Sequence, residues 1–305
     1  MSISKAKRIT LKFLSLFSAV RGYNILVLIF AQYLAAIFIF SPTKSLKDVV
    51  FDLHLFFLVL ASVFVIAGGY IINNFYDAKV DKINRPVKAG LDNYIKQSTK
   101  LRLYFLLNFI GFCFGILISW RAALFFAMFI FAIWFYSHKL KKHPFLGVVS
   151  ATVLTVLPFF AVFVYFGNFS IMILFHASFL FLVIMVRELI KDLQNIKGAI
   201  ANNYNTFPVV YGEKKTKQLS ILLLIFTIIP ISILFSYPAL SYMRYYFYFA
   251  LIVLLFVGFS LWTSKTRNDY RTLHNILKLL LFIGVLCLIF IDTSLLLDKV
   301  INRLN

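Results

Sequence analysis

Long runs of apolar residues alternate with short polar segments along most of the chain. Nine of these runs hold about 20 residues, the length that an α-helix needs to cross the ~30 Å hydrocarbon core of a bilayer. The predicted membrane helices cover residues 22–41, 53–74, 101–118, 121–137, 145–165, 171–190, 218–236, 243–263 and 276–297. The pattern predicts an all-α, multi-pass membrane protein with a single transmembrane domain over residues 1–305.

Small and polar residues within this pattern predict further local structure. Residues 1–20 mix four basic side chains with leucine and phenylalanine, so we expect an amphipathic lead-in at the membrane surface that is not cleaved. Gly68 and Gly69 should let a neighbouring helix approach the second span closely. Pro230 should kink the seventh span, and the Asn-Arg-Pro sequence at 84–86 should break any helix in the loop after the second span.

Composition supports the membrane assignment, and the distribution of charge orients the chain. The chain is 62% hydrophobic, with a mean hydropathy of +0.90 and a net charge of +20. Of 31 lysines and arginines, 25 lie in the N-terminal segment and in the alternate loops 75–102, 138–142, 187–217 and 264–278. Because cytoplasmic loops carry an excess of basic residues, we expect the N-terminus and these loops on the cytoplasmic side of the cell (inner) membrane. The charge is thereby explained without a nucleic-acid partner.

The most informative polar stretch joins the second span to its loop. Asn73, Asp77 and Asp81 follow at intervals of four, which places them on one helix face, about 6 Å apart along the axis. Carboxylates this close repel one another, and Mg²⁺, which prefers oxygen ligands, would relieve the repulsion. Carboxylates, Mg²⁺ and basic side chains together commonly hold a diphosphate. The basic residues of the same stretch are Lys79, Lys82, Arg85 and Lys88.

A second polar stretch lies at the end of the sixth span. Glu188 and Asp192 are four residues apart, and ionisable side chains near a span end indicate a function. Lys139 and Lys141, after the fourth span, lie on the same side of the membrane under the predicted orientation. They are open to two interpretations, a clamp on the diphosphate or a part of the positive-inside bias. The five histidines and two cysteines have no spacing typical of metal ligands.

Together these segments resemble the UbiA family of intramembrane prenyltransferases. Residues 73–81 (Asn-Asn-Phe-Tyr-Asp-Ala-Lys-Val-Asp) and 84–86 (Asn-Arg-Pro) are similar to that family's first motif. Residues 136–144 are similar to its fourth-span exit, and residues 187–212 to its second Asp-rich motif. The resemblance covers most of the chain, and the first motif is specific to the family.

The resemblance implies a fold, a reaction and a set of residue roles. Nine helices would surround a central cavity, where an isoprenyl diphosphate donor and a hydrophobic or aromatic acceptor bind within the lipid bilayer. Basic side chains would neutralise the diphosphate, and an aromatic face would shelter the allylic cation. Catalytic roles would fall to Asp77, Asp81 and Asp192, which would hold Mg²⁺ together with Asn73. The substrate-binding residues would be Asn73, Arg85, Tyr136, Lys139, Lys141, Glu188 and Asn195.

Three positions depart from the family's motifs. Asn74 stands where the first motif commonly has aspartate, and Asn195 and Ala199 stand where the second motif usually has further aspartates. Asn195 keeps an oxygen that can bind Mg²⁺, whereas Ala199 has none. The binding of a second metal ion would therefore be weakened.

The acceptor and two alternative functions stay open. An aromatic quinone-type precursor is the first interpretation. A lipid such as geranylgeranylglycerol phosphate is the alternative, suggested by the Arg-Glu-x-x-Lys-Asp-Leu sequence at 187–193. A membrane transporter would place its polar groups nearer mid-membrane, on broken helices. The residues at 195 and 199 would also suit a lipid-binding protein without catalytic activity, and Mg²⁺-dependent release of diphosphate would separate these functions.

Overall fold

The computed structural model describes residues 10, 14–92 and 94–291, which form helices joined by short turns. Within these residues, nine helices are long and apolar enough to span a membrane. They are α1 (Gly22–Phe40), α2 (Leu53–Tyr76), α3 (Gln97–Ile118), α4 (Trp120–Lys142), α5 (Pro144–Phe166), α6 (Ile171–Gln194), α7 (Phe207–Phe235), α8 (Met243–Thr263) and α9 (Arg267–Phe290). The prediction of an all-α, multi-pass membrane protein is confirmed.

Two helices begin much earlier than predicted. α7 starts at Phe207 rather than at 218, and α9 starts at Arg267 rather than at 276. Both early segments are rich in charged residues, which hydropathy assigns to a loop although they form helix. α9 begins with a capping box, in which the Thr266 hydroxyl and the Asp269 carboxylate each accept a hydrogen bond from the other residue's backbone N–H.

Parts of two predicted elements fall outside the described residues. One is most of the lead-in 1–20, of which residues 14–19 form a helix. The other is the end of the ninth predicted span, 292–297, which includes Asp292. The surface position of the lead-in therefore stays a prediction.

Proline and glycine shape the helices as predicted, with one exception. α7 is interrupted at Thr227, three residues before Pro230, because proline lacks the N–H that would bond to the carbonyl of residue 226. The start of α7 bends at Gly212, whose φ of 84° is accessible to glycine without strain. The Asn-Arg-Pro sequence breaks the helix as predicted, because Ala78–Asn84 ends there and Arg85 is non-helical, but the segment that follows is not a helix-free loop. Pro86 begins a further helix, Pro86–Asp92, because its fixed φ suits a first helical position.

α2 packs along α3 and α4, and glycines permit the close approach. A Cβ on Gly68 would lie 3.0 Å from the side-chain oxygen of Asn108 on α3. A Cβ on Gly69 would lie 2.9 Å from a methyl carbon of Ile133 on α4. The predicted approach at both glycines is confirmed. α6 packs in turn against α5, α7 and α9.

A polar link joins three helices within the apolar layer. Gln32 of α1 is fully buried, and its Nε2 donates to Ser62 Oγ on α2 at 3.2 Å. The same nitrogen donates to the carbonyl of Pro158 on α5 at 3.0 Å. These hydrogen bonds fix the spacing of α1, α2 and α5 at one depth.

The helices surround a cavity of about 2030 Å³. This volume exceeds the ~300–1,000 Å³ typical of small-molecule pockets. Much of the lining is aromatic and includes Phe129, Phe159, Phe163, Phe179 and Phe247. The polar segments that follow α2, α4 and α6 lie at one end of the bundle, which we call the motif end.

Candidate active site

The first acidic stretch keeps its helical spacing across the end of α2. Asp77 caps α2, and the short helix Ala78–Asn84 follows directly. α-Helical hydrogen bonds run from the N–H of Asp77 to the carbonyl of Asn73 at 2.9 Å, and from Asp81 to Asp77 at 2.8 Å. The three predicted ligands therefore remain one helical turn apart, as their four-residue interval predicts.

Lys141 supplies a cation to this stretch. It lies in the 3₁₀ turn Leu140–Lys142, and its Nζ is 3.1 Å from Asn73 Oδ1 and forms an ion pair with Asp77 Oδ1. The Lys141 side chain is 8% exposed and that of Asp77 20%, so water screens this pair only weakly. Lys139, predicted for the same role, is exposed, and the structure does not bring it to this cluster.

The second acidic stretch lies in the last two turns of α6. Glu188 is 6% exposed and forms ion pairs with Arg187, at 3.2 Å, and with Lys191. Its charge is therefore compensated, whereas Asp192 has no ion pair among the described residues. Asn195 caps α6, and its side-chain oxygen is buried without a hydrogen-bond partner in the described part of the chain.

Tyr136 of α4 lines the cavity and lies near both acidic stretches. The carboxylates of Asp77, Glu188 and Asp192 are all close enough to act electrostatically on its hydroxyl. The predicted site residues that line the cavity are Asn73, Arg85, Tyr136 and Glu188. Those that are not among its lining residues are Asp77, Asp81, Lys139, Lys141, Asp192 and Asn195.

Asn84 links the two acidic stretches, a role that the sequence analysis missed. Its Nδ2 donates to the carbonyl of Asn195, and its Oδ1 accepts from the N–H of Gly198, each at 3.2 Å. Its own carbonyl accepts from the guanidinium of Arg267 at the start of α9. The glycine at position 198 is the sequence feature that fits this contact. Any larger residue would clash, because a Cβ there would lie 2.7 Å from Asn84 Cγ.

The departure from the family motif at Asn74 has a structural explanation. The buried Asn74 side chain donates to Asp92 Oδ2 at 2.6 Å and accepts from Lys100 Nζ at 2.8 Å. Lys88 adds an ion pair to Asp92 at 3.3 Å. An aspartate at position 74 would face the Asp92 carboxylate, so the amide suits this network. Asn74 fixes the helix Pro86–Asp92 against α2 and α3.

The pKa values of Asp81 and Arg85, in the segment after α2, differ from their ordinary values. Burial, and then the nearby Asp77 carboxylate, raise the pKa of Asp81 above its ordinary value. Burial lowers the pKa of Arg85, and the guanidinium groups of Arg21 and Arg267 act in the same direction. A cation placed near Asp77 and Asp81 would stabilise both carboxylates.

Tyr204, in the loop between α6 and α7, adjoins the same cluster. Its ring centre lies 5.8 Å from Lys141 Nζ and 5.5 Å from Lys142 Nζ. Burial raises the pKa of Tyr204 to about 12, and Asp77 and Asp81 act in the same direction, so the hydroxyl stays protonated at neutral pH. No motif or spacing in the sequence points to Tyr204.

The residues at this site suit Mg²⁺ by chemistry, but they do not form a complete protein cage. Among the described residues, no three Asp, Glu, His or Cys side chains come together as a group that could hold a metal ion. The oxygens of Asn73 and Asp77 nevertheless converge on one cation, the Lys141 ammonium. Mg²⁺ is usually bound by one or two carboxylates together with substrate phosphates, so diphosphate oxygens would complete the ligand set.

Known proteins are similar to this chain in sequence and in fold. The model of the UbiA prenyltransferase family matches residues 29–286. A digeranylgeranylglyceryl phosphate synthase of Methanobrevibacter smithii is 28% identical over 274 residues, which are 86% of this chain and 90% of that protein. One of Sulfurisphaera tokodaii is 28% identical over 207 residues, 66% of this chain and 71% of that protein.

A solved structure of a UbiA homolog from Archaeoglobus fulgidus, bound to GPP and Mg²⁺, has the same fold. Its TM-score is 0.64 at 16% identity, and the match covers 90% of this chain and 99% of that one.

Proposed function

The chain belongs to the UbiA prenyltransferase family, and on that premise we propose that it transfers an isoprenyl group from a prenyl diphosphate to a glycerol phosphate lipid, with Mg²⁺ as cofactor. Membership of the family makes it an intramembrane prenyltransferase, so the prediction of an enzyme is confirmed and the transporter and non-catalytic alternatives are set aside. The observation that carries the proposal is the convergence of Asn73, which lines the large apolar cavity, and Asp77 on one cation at the motif end of the bundle.

The donor would place its apolar chain in the cavity and its diphosphate at the motif end. The volume of about 2030 Å³ has room for a long isoprenyl chain beside the apolar chain of an acceptor lipid. Oxygens of Asn73, Asp77 and Asp81 on one side, and of Asp192 on the other, would hold Mg²⁺. When bound, the ion stabilises the charge that develops on the diphosphate as its C–O bond breaks.

The basic and aromatic residues would act on the two ends of that bond. The Lys141 ammonium, which pairs with the Asp77 carboxylate in the structure, would pair with a diphosphate oxygen once the donor binds. Tyr136 lines the cavity, and its ring would face the carbon on which positive charge develops. Asn84 would keep the two acidic stretches at a fixed separation while the diphosphate leaves.

The acceptor proposed here is the lipid that the sequence analysis ranked second. The two relatives described above are both digeranylgeranylglyceryl phosphate synthases, and one of them matches 86% of this chain. These names favour a glycerol phosphate lipid over the aromatic quinone-type precursor that was ranked first.

Product formation by the purified full-length chain tests the proposal. Geranylgeranyl diphosphate would be supplied with either a geranylgeranylglycerol phosphate or an aromatic acid, in Mg²⁺ or in EDTA. We expect diphosphate release and a prenylated product with the phosphate lipid, in Mg²⁺ only, and loss of both in Asp77→Asn. Product from the aromatic acid alone, or equal rates in EDTA, would contradict the proposal.

We also propose that the motif end faces the cytoplasm, since 25 of 31 basic residues lie in segments assigned to that side. Asn203 is exposed in the loop between α6 and α7. A single cysteine at Asn203, in a chain lacking Cys113 and Cys287, should be labelled by an impermeant reagent only from the cytoplasmic side. Labelling from the opposite side would reverse the orientation.

A further inference from the structure

A second group of cations lines the cavity, separate from Lys141. The group comes from three segments that are far apart in the chain: the residue before α1, the junction between the two short helices after α2, and the first four turns of α9. In the sequence, most of these residues are explained only by the positive-inside bias. The members that line the cavity are Arg21, Arg85, Arg267, Arg271 and Lys278.

Neutral groups hold three of these cations in place. Arg21 stacks over the Tyr70 ring, 4.9 Å from its centre, and Lys278 lies 4.0 Å from the centre of the Tyr23 ring. Arg267 donates to the backbone carbonyl of Asn84, next to Arg85. Within residues 14–92 and 94–291, no member of the group forms an ion pair with a carboxylate. Their positive charge is therefore available to an anion that enters the cavity.

The backbone conformation of Arg21 indicates that its side chain has a function at the cavity. Arg21 has φ 51° and ψ 54°, the left-handed conformation that non-glycine residues rarely adopt. Backbone strain of this kind collects at ligand-binding sites, where the surrounding structure holds it in place. It places the guanidinium over Tyr70, at the wall of the cavity.

We propose that Arg21, Arg85 and Arg267, flanked by Arg271 and Lys278, bind the phosphate monoester of the acceptor lipid without a metal ion. The inference rests on the proposed function, because it assigns the headgroup of the proposed acceptor to named residues. Guanidinium groups bind phosphate oxygens bidentately, and several of them suit a dianion better than a single carboxylate. The protein would then have two anion sites, one for the diphosphate at Asn73 and Asp77 and one for the acceptor in the cavity.

Binding of an unreactive lipid, without donor and in EDTA, tests this assignment directly. The probe is a saturated monoalkyl glycerol phosphate ether whose remaining hydroxyl is blocked as a methyl ether, titrated into the purified full chain and followed by intrinsic fluorescence. Its dimethyl phosphate ester and a fatty acid of equal chain length serve as neutral and carboxylate comparisons. We expect the phosphate lipid to bind about tenfold or more tightly than either, since a hydrogen bond to a charged group contributes that much.

Two arginine variants separate a binding role from a structural one. Arg267→Gln removes the contact to the Asn84 carbonyl as well as the charge. Arg271→Gln removes only an exposed cavity-lining charge, and Lys265→Gln removes an exposed charge outside the cavity lining. We expect weaker binding of the phosphate lipid in both arginine variants, and unchanged binding in Lys265→Gln. Equal affinity for the phosphate and its neutral ester or the fatty acid, a need for Mg²⁺, or unchanged binding in Arg271→Gln would overturn the inference.

Turnover distinguishes failure of this inference from failure of the proposed function. If the inference holds, Arg271→Gln raises the KM for the phosphate acceptor several-fold, while kcat and the KM for the donor stay close to those of the unmodified enzyme. Turnover of the phosphate acceptor with an unchanged KM in both arginine variants would refute the inference alone. Tight binding of the phosphate lipid without any diphosphate release would refute the proposed function alone.

Discussion

Replacing Gly198 with alanine should disconnect the two acidic stretches of the site. A Cβ at this position would lie 2.7 Å from Asn84 Cγ and 2.9 Å from Asn84 Oδ1, closer than real Cβ contacts allow. Asn84 is only 4% exposed, so its side chain must move within a packed region. The movement would break its hydrogen bonds to the carbonyl of Asn195 and the N–H of Gly198.

The expected magnitude follows from these two hydrogen bonds. Each neutral hydrogen bond contributes about 0.5–1.5 kcal/mol net, so the loss of both is worth about 2 kcal/mol. Since 1.4 kcal/mol is a factor of ten, the joined arrangement would become about 30-fold less favoured. We expect kcat/KM for prenyl transfer to fall by about 10-fold to 30-fold, and the half-maximal Mg²⁺ concentration to rise.

Three further variants serve as the controls for this prediction. Gly90→Ala is the matched control, because nothing lies within 4 Å of a Cβ there, and its kinetics should be unchanged. Asn84→Ala removes the same hydrogen bonds without a clash, and should lose a similar amount of activity. The double variant Asn84→Ala, Gly198→Ala should be no worse than Asn84→Ala alone. Additive losses, or a Gly198→Ala enzyme with normal Mg²⁺ dependence, would refute the reasoning.

Other predictions address the remaining parts of the site. Lys141→Met should raise the KM for the prenyl diphosphate about tenfold, because a charged hydrogen bond to the diphosphate is lost; an unchanged KM would exclude that contact. Asn74→Asp should lower the melting temperature by placing a carboxylate against Asp92, and adding Asp92→Asn should restore it. Ala199→Asp buries a carboxylate at a position 5% exposed, so it should lower the melting temperature in EDTA, with recovery in Mg²⁺ if a metal ion binds there; no recovery would place the metal elsewhere.

The features that depend on local composition were predictable. The nine spans follow from hydropathy because a helix in a bilayer must be apolar along its length. The interval of four between Asn73, Asp77 and Asp81 predicts their common spacing correctly, since helical hydrogen bonds continue through the cap at Asp77. The early start of α7 was missed because its charged first turns lie outside the apolar run.

Contacts between distant segments were not predictable from one chain. Both Lys139 and Lys141 had the right charge and position, but only the 3₁₀ turn at 140–142 decides which of them reaches Asp77. The contact between Asn84 and Gly198 spans 114 residues, and no periodicity connects them. Arg267 carried no signal beyond its charge, because its place beside Asn84 depends on how α9 packs.

The buried Gln32 link has a consequence for how the bundle moves. No water is present in the hydrocarbon layer to replace the hydrogen bonds from Gln32 to Ser62 and Pro158, so they should open rarely. α1, α2 and α5 should therefore move as one rigid unit at that depth, and the backbone amides around Ser62 should be among the slowest to exchange with deuterium. Lipids would then enter and leave the cavity without separating α1, α2 and α5 at the depth of Gln32.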